Sequence, residues 1–483
     1  MATVSNYGYA TDINVQSALP IEMNYSLPAS LPSAKNTEIR IQPVNSQTFL
    51  PGSTIQLDIP CGRKNCFLDP TTSYIRFKAT YTSTAAGQAN AADISRLIGS
   101  GHSYFIKSEI YGNNAVLLES INEYGVLASM LINSTMTDSE KKGMSSAFGF
   151  ESNGPYVSTQ TSASVTASGL LSQNLASGSS ATVGHLINYD TKLQNLIFEY
   201  SLPCLNLLGS GCDKMFPIGE LFSLRLEYTL DQLANYTVLT AGTRALTGVS
   251  ITEFEFVANI IELSPEAGAL IDQQNPDKIH IRCQSYKQAT NGLSATSAGT
   301  QDMLVGIRVS SLKSIYCVPT PTASKPVEGK YGGVNPSLDV GTSFLLGGLQ
   351  YPQRGLSCTN HNSDTFLELQ KSFGALSYHQ HSGCITKSAY NVSDLSYGNL
   401  QPLYNQDVTK CITSPNQFYL GVDVEVVARK QSLLSGLNIN SSPMFLRAVI
   451  GTGLSVPYTF NYWGYYDVIL EIDKHTKNII AKF

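Results

Sequence analysis

Charge is scarce in this sequence. Asp, Glu, Lys and Arg together make up 14% of its 483 residues, against about 25% in an average soluble domain. No Lys or Arg precedes Lys35. That excludes a cationic N-terminal arm of the kind that neutralises nucleic-acid phosphates, and no basic cluster appears later. No uncharged apolar run reaches the ~18–20 residues that span a bilayer, so any membrane contact is expected to be peripheral. The N-terminal residues lack a basic stretch leading into an apolar one. Taken with nine Cys, an odd number, this points to a reducing compartment and free thiols that pack as small apolar groups. Catalytic signatures are missing as well: there is no G-x-x-x-x-G-K-[ST], no H-E-x-x-H and no G-x-S-x-G. Neither enzyme activity nor a cofactor is expected.

The residues that are plentiful fit a protein that covers its surface with neighbours. Hydrophobic residues make up 42%, and 26 Tyr outnumber 18 Phe, with one Trp. Tyr suits places where one end of a ring is buried and the other stays wet. The net charge of -5 is small for an abundant monomer that must stay dispersed. The length exceeds what one hydrophobic core usually serves, so two domains of roughly 200–250 residues are expected.

Period-two alternation dominates the chain. In Tyr74–Tyr81 one face carries Ile75, Phe77, Ala79 and Tyr81, the other Arg76, Lys78 and Thr80. Phe222–Leu230 repeats the pattern, and so do Thr54–Ile59, Phe105–Tyr111, Leu196–Leu202, Phe254–Leu263, Ile279–Tyr286, Leu304–Val309, Phe418–Val426, Phe445–Ile450 and Val468–Ile472. Gly112-Asn113-Asn114 between two such runs predicts a hairpin turn. The reading is antiparallel β, with one face of each strand turned to a core. Helical spacing interrupts it over Ser120–Asn133, and Thr137-Asp138-Ser139-Glu140 is a capping-box pattern that opens a second short helix through Lys142. Ser158–Val183, with no charged residue, and Pro319–Pro336 read as long surface loops. The Gln-, Asp- and Pro-rich stretch 266–276 reads as an inter-domain linker. The expected organisation is therefore an N-terminal arm (1–36), a first β domain (37–265), the linker, and a second β domain (277–483). No internal repeat is visible.

Candidate sites are few. Cys358 and His361, followed by His379, His381 and Cys384, form two short Cys/His groups whose thiolates and imidazoles could close a tetrahedral zinc site. Their spacing matches no recognised zinc pattern, and Phe366-Leu367-Glu368-Leu369 between them reads as a strand. Cys61 and Cys66 are expected as two free thiols, with a labile disulfide as the alternative. Gly209–Lys214 superficially resembles a phosphate loop but lacks the spacing, so a strand-connecting turn is expected. Alternation puts Asp467, Glu471 and Asp473 on one strand face. The expectation there is a solvated outer face, with cation binding as the alternative.

Several phrases together resemble the double jelly-roll major capsid proteins of eukaryotic DNA viruses, of the polinton-like virus and virophage type. Arg40–Phe49, Ile55–Pro60, Phe67–Pro70 and Ser73–Phe77 are similar to the first strands of those proteins, and Leu118–Leu127 to their inserted helix. Tyr200–Pro203, Phe216–Ile218 and Leu224–Leu230 are similar to the close of their first barrel. Ser310–Ile315, Leu434–Pro443 and Tyr466–Asp473 look like parts of the second. The resemblance runs from about residue 37 to the last residue. It implies an all-β chain of two tandem antiparallel jelly rolls with a short helical insertion. It further implies a structural subunit that forms homotrimers, pseudo-hexameric capsomers and an icosahedral virion shell. The implied partners are other copies of the chain, penton and minor capsid proteins, with possible peripheral contact with an internal membrane. The shell protein would be made inside the host cell and not secreted. A secreted-type β-sandwich that binds or processes glycans would explain the β content and the Tyr count too. It calls for a secretion signal and paired carboxylates or an aromatic platform, and neither is apparent.

Overall fold

The structure, a computed structural model, describes residues 33–83, 95–97, 100–149, 186–187, 195–238, 246–322, 329–358, 363–374, 385, 390, 417–426 and 434–482. In chain order its first half holds β1 (Ala34–Ile41), β2 (Thr48–Phe49), β3 (Thr54–Ile59), β4 (Cys66–Ser83), β5 (Ser95–Leu97), β6 (Phe105–Tyr111) and β7 (Leu117–Asn122). Helices α1 (Tyr124–Thr135), α2 (Asp138–Gly143) and α3 (Ser145–Phe148) follow. Then come β8 (Leu186–Ile187), β9 (Asn195–Pro203), β10 (Leu224–Leu230), α4 (Leu233–Tyr236), β11 (Thr237–Val238), β12 (Leu246–Leu263) and α5 (Pro265–Gln274). The second half holds β13 (Lys278–Leu293), β14 (Gly299–Val305), β15 (Leu312–Pro321), β16 (Thr342–Leu346), β17 (Leu349–Leu356), α6 (Ser363–Ser372), β18 (Leu420–Asp423), β19 (Met444–Ile450), β20 (Tyr458–Asp473) and β21 (Asn478–Lys482).

Strand order identifies the architecture. Two sheets of the first half run β1-β12-β4-β9 and β3-β10-β6-β7; two of the second run β13-β20-β15-β18 and β14-β19-β16-β17. Setting aside the short β2, β5, β8, β11 and β21, each half has eight strands among the described residues. In both halves one sheet takes them as first-eighth-third-sixth, the other as second-seventh-fourth-fifth. That is the jelly roll, twice. The pairings within these sheets are antiparallel. The helical insertions fall at the same point of each roll, after the fifth strand: α1–α3 follow β7, and α6 follows β17. A repeat absent from the residues is thus present in the path of the chain.

Side-chain alternation explains why these segments pair as they do. Leu224, Leu226, Tyr228 and Leu230 of β10 are buried while Arg225, Glu227 and Thr229 are half-buried, and β19 alternates in the same way. The inward residues of the first roll meet in an aromatic cluster. Phe77 stacks on Tyr200 (5.2 Å) and Phe254 (5.6 Å) and takes the edges of Tyr104 (5.6 Å) and Phe105 (5.5 Å). Such pairs add to the burial of ring area. Phe77→Ala would leave a cavity ringed by four other rings. We expect it to cost about 3–5 kcal/mol, measured by urea unfolding. Among the described residues the outer strand β17 pairs on one side only, with β16, and it carries Pro352.

Several expectations are corrected. Ser120–Asn133 is not helical throughout: Leu117–Asn122 is strand β7, and the helix begins at Tyr124, after Glu123 in a left-handed conformation. Phe366–Leu369 lies in helix α6, not in a strand. Between β12 and β13, where residues 266–276 read as a linker, lies helix α5 (Pro265–Gln274), with the Ser264 hydroxyl accepting from Ala267 N (3.4 Å). Pro at its first position and Glu266 in its first turn favour that start. Residues 331–336, read as part of a surface loop, are buried. The capping box forms as expected: Glu140 Oε2 accepts from Thr137 N (2.6 Å), and Thr137 Oγ1 accepts from Glu140 N (3.3 Å). The turn after β6 has Asn114 at φ 56 and joins it to β7. Residues 158–183 lie outside the described residues.

Candidate functional site

The zinc candidates can be placed only in part. His361, His379, His381 and Cys384 lie outside the described residues. Cys358 is buried, its thiol 3.7 Å from Thr365 Oγ1 on α6 and its carbonyl accepting from Asn335 Nδ2 (2.9 Å). Burial pushes the Cys358 thiol up to about 12. Among the described residues no group of three or more His, Cys, Asp or Glu is placed to hold a metal ion. Cys61 and Cys66 are free thiols, and desolvation pushes Cys61 up to about 12. Gly209–Lys214 is a turn between β9 and β10, as expected.

The expectation of a solvated face for Asp467, Glu471 and Asp473 is overturned by their basic and backbone partners. Asp467, 2% exposed, accepts from Arg282 Nη2 (2.7 Å) and from Ser311 Oγ (2.8 Å). Glu471, 5% exposed, is paired with Lys278 and Lys482, whose hydrogen bonds draw its carboxyl down to about 2. Asp473 accepts from the backbone N–H groups of His475 (2.9 Å) and Thr476 (3.0 Å) and so shapes the β20–β21 turn. These carboxylates are committed to the protein itself. Nothing at this position calls for a cation.

The chemistry concentrates at the seam between the two rolls, where polar groups are buried in pairs. Lys330, in the segment after β15, donates to Glu123 Oε2 (3.0 Å) and to Asp231 of the first roll; Asp231's side chain is 1% exposed. The neighbouring Tyr331 hydroxyl donates to Ser103 O (2.8 Å) and Asp231 Oδ2 (3.3 Å). Its ring fits because α1 carries Gly125, where a Cβ would come within 3.0 Å of Tyr331 Cε1 and of His102 O. Asp231 Oδ1 accepts from Gln232 N and Asn235 Nδ2, both at 2.8 Å, so its lone pairs are filled from both rolls. Buried charges persist only when paired and hydrogen-bonded in this way.

A second buried carboxylate lies further along. Glu119 of β7 accepts from Leu207 N (2.9 Å) and from the Ser285 hydroxyl of β13 across the seam. Complete burial raises its carboxyl to about 7 despite those two donors. Around these groups Trp463 of β20 donates to Asn122 O (3.4 Å), Asn133 Nδ2 to the Tyr419 hydroxyl (3.3 Å), and Gln284 N to Gly211 O (2.7 Å). On another side of the seam, Asp272 of α5 pairs with Lys64 of the first roll and Lys474 of the second. The seam is a polar, interlocked contact.

Sequence reasoning did not find these seam residues. Lys330 is one of two lysines in a stretch rich in Pro and Gly, and Glu119 sits in a phrase read as helix. Their only sequence signal is charge where charge is scarce.

No family model matches the sequence, and no curated protein matches it. Solved structures match in shape. A chain in the cryo-EM structure of the Sputnik virophage aligns over 99% of this chain and 94% of its own length, with a TM-score of 0.54 at 13% identity. VP54 of PBCV-1, in a crystal structure fitted into a cryo-EM reconstruction of the virophage Sputnik, aligns over 95% of this chain and 98% of its own, with a TM-score of 0.53 at 10% identity. The Faustovirus major capsid protein aligns over 92% of both chains, with a TM-score of 0.50 at 10% identity. The strand order read from the chain itself and this agreement in shape lead to one statement: the protein has the double jelly-roll fold.

Proposed function

We propose that this chain is a structural capsid subunit, without catalytic activity, whose copies trimerise into pseudo-hexameric capsomers of an icosahedral virion shell. The observation that carries the reading is the duplicated strand order held across a locked seam. Two barrels fixed side by side give each copy two similar corners, and three copies supply the six needed for a hexagonal outline. Residues 37–265 and 277–483 would be the two shell-forming units. Two sheets packed face to face in each roll give stiff, upright units that suit dense packing. Low charge lets broad side faces meet without stranding ions, so contacts can be wide and individually weak, summed over many copies. Penton and minor capsid proteins would be its further partners. Residues 1–34 carry no Lys or Arg, so this segment would not be the one that condenses the genome. Contact with an internal membrane would be peripheral, since no helix among the described residues is long and apolar enough to cross one.

The test is expression of the full chain, followed by light scattering and negative-stain imaging. Trimers or larger assemblies with a six-cornered outline are expected. Monodisperse monomers that bind or cleave glycans would replace this reading with the β-sandwich alternative.

A further inference from the structure

We propose that Cys212 and Cys283 form a disulfide that ties the first barrel to the second when the chain meets an oxidising medium. Cys212 lies in the turn between β9 and β10, and Cys283 lies in β13, so the pair straddles the seam. Both side chains are buried at 1% exposure and both are free thiols. The two thiols lie close enough to influence each other's proton affinity, and Cys212 Sγ donates to Lys214 O (3.2 Å).

The backbone enforces this meeting. Gly211 O accepts from Gln284 N at 2.7 Å, which joins the residue before one cysteine to the residue after the other. A Cβ at position 211 would fall 2.4 Å from Gln284 O and 3.0 Å from Asn206 O, so only glycine lets the two chains approach this closely. The turn is held in place from beneath. Asn206 O accepts from Gly209 N and Gly211 N, both at 3.0 Å, and Asn206 Nδ2 donates to Ser108 Oγ (3.1 Å) and the Tyr228 hydroxyl (3.2 Å). A backbone hydrogen bond between the residues flanking the two cysteines brings their Cα atoms towards the range of about 4.4–6.8 Å that a disulfide spans. Little movement is needed to form the bond.

The chemistry is thiol–disulfide exchange with a small-molecule disulfide such as oxidised glutathione. Cys212 is the attacking sulfur, because the contact with Cys283 holds its thiol below the ordinary range while Cys283 is raised by the same contact and by burial. Cys212 gives up its proton and displaces one glutathione thiol to form a mixed disulfide. Cys283 then gives up its proton and displaces the second. One S–S bond forms in the protein, one is broken in the oxidant, and two electrons and two protons pass from the cysteines to the two glutathiones. The new bond closes a loop of about 70 residues, which restricts the unfolded chain strongly. A shell leaving a reducing cell interior would thereby gain a covalent tie inside each subunit.

The experiment uses the full chain, incubated in oxidised or reduced glutathione and also refolded in each buffer, then alkylated and mapped by mass spectrometry. After oxidation we expect a peptide pair linking Cys212 and Cys283 and a rise in Tm of roughly 5 °C or more. The link and the rise should both be absent in Cys212→Ser and in Cys283→Ser. Refolding removes any barrier set by burial. Full alkylation of both cysteines after oxidative refolding, or links that join either one to other partners, would overturn the proposal. The measurement is made on the single chain, so its failure leaves the shell reading untouched, and failure to assemble leaves this one untouched.

Discussion

Lys330→Met is expected to destabilise the protein by about 3–5 kcal/mol and to loosen the contact between the barrels. The ammonium of Lys330 compensates Asp231, whose side chain is 1% exposed, and reaches Glu123 as well. Met fills a similar volume but leaves a carboxylate buried without its cation. Asp231 would keep its bonds from Gln232, Asn235 and Tyr331, which hold its geometry without supplying opposite charge. Because a charge pair is close to neutral against a well-packed apolar pair, Lys330→Met with Asp231→Leu should recover much of the loss. The double-mutant cycle then isolates the coupling between them. The fall in thermal midpoint should be about 10 °C. Trp463, the single Trp of the sequence, lies at the seam, so its fluorescence reports directly on the barrels parting. A loss below about 1 kcal/mol, within the range of exposed pairs, would show that the seam does not depend on this cation.

Stability should also fall as pH rises, through Glu119. Burial raises this carboxyl from its ordinary 4.5 to about 7 in the folded protein. Below pH 4.5 the folded and unfolded chains both hold the proton, and the group adds no pH dependence. Between 4.5 and 7 the unfolded chain releases its proton first, so unfolding becomes easier. Above 7 the loss levels off at about 3 kcal/mol, which is the shift converted to free energy. Glu119→Gln keeps an oxygen for Leu207 N and a polar partner for the Ser285 hydroxyl, and it cannot ionise. Its stability relative to the wild type should therefore rise by about 3 kcal/mol between pH 4.5 and pH 8, measured by urea unfolding at each pH. An unchanged difference across that range would mean that the Glu119 carboxyl is ionised throughout.

Much of the fold is legible in the residues, and the illegible parts have physical causes. Strands with one face to a core announce themselves: β3 and β6 have the bounds that alternation predicts, and β10 is two residues shorter than its pattern. All ten residues of β15 are buried. Part of the reason is α6, since Tyr316 stacks on Phe373 (4.7 Å) and donates to Ser372 O (3.0 Å). A strand covered on both faces has no alternating pattern to read. Phe366-Leu367-Glu368-Leu369 alternates by accident. The helix reveals itself only when Thr365 and Leu369, one turn apart, are seen to be buried together. The acidic residues at 467, 471 and 473 look like a wet face until the bases of β13 and β21 are brought alongside, a fact of strand pairing that sequence spacing does not contain. The seam was unreadable for the same reason, since each partner lies in the other half of the chain.

Pro352 on the outer strand β17 has a consequence for crowding. Proline offers no N–H, so a passing strand that tried to extend this sheet would find a gap in the row of donors it needs. Copies held at very high local concentration are thereby discouraged from zippering together through that margin. In the proposed shell, that would leave neighbouring copies to meet through their broad flanks.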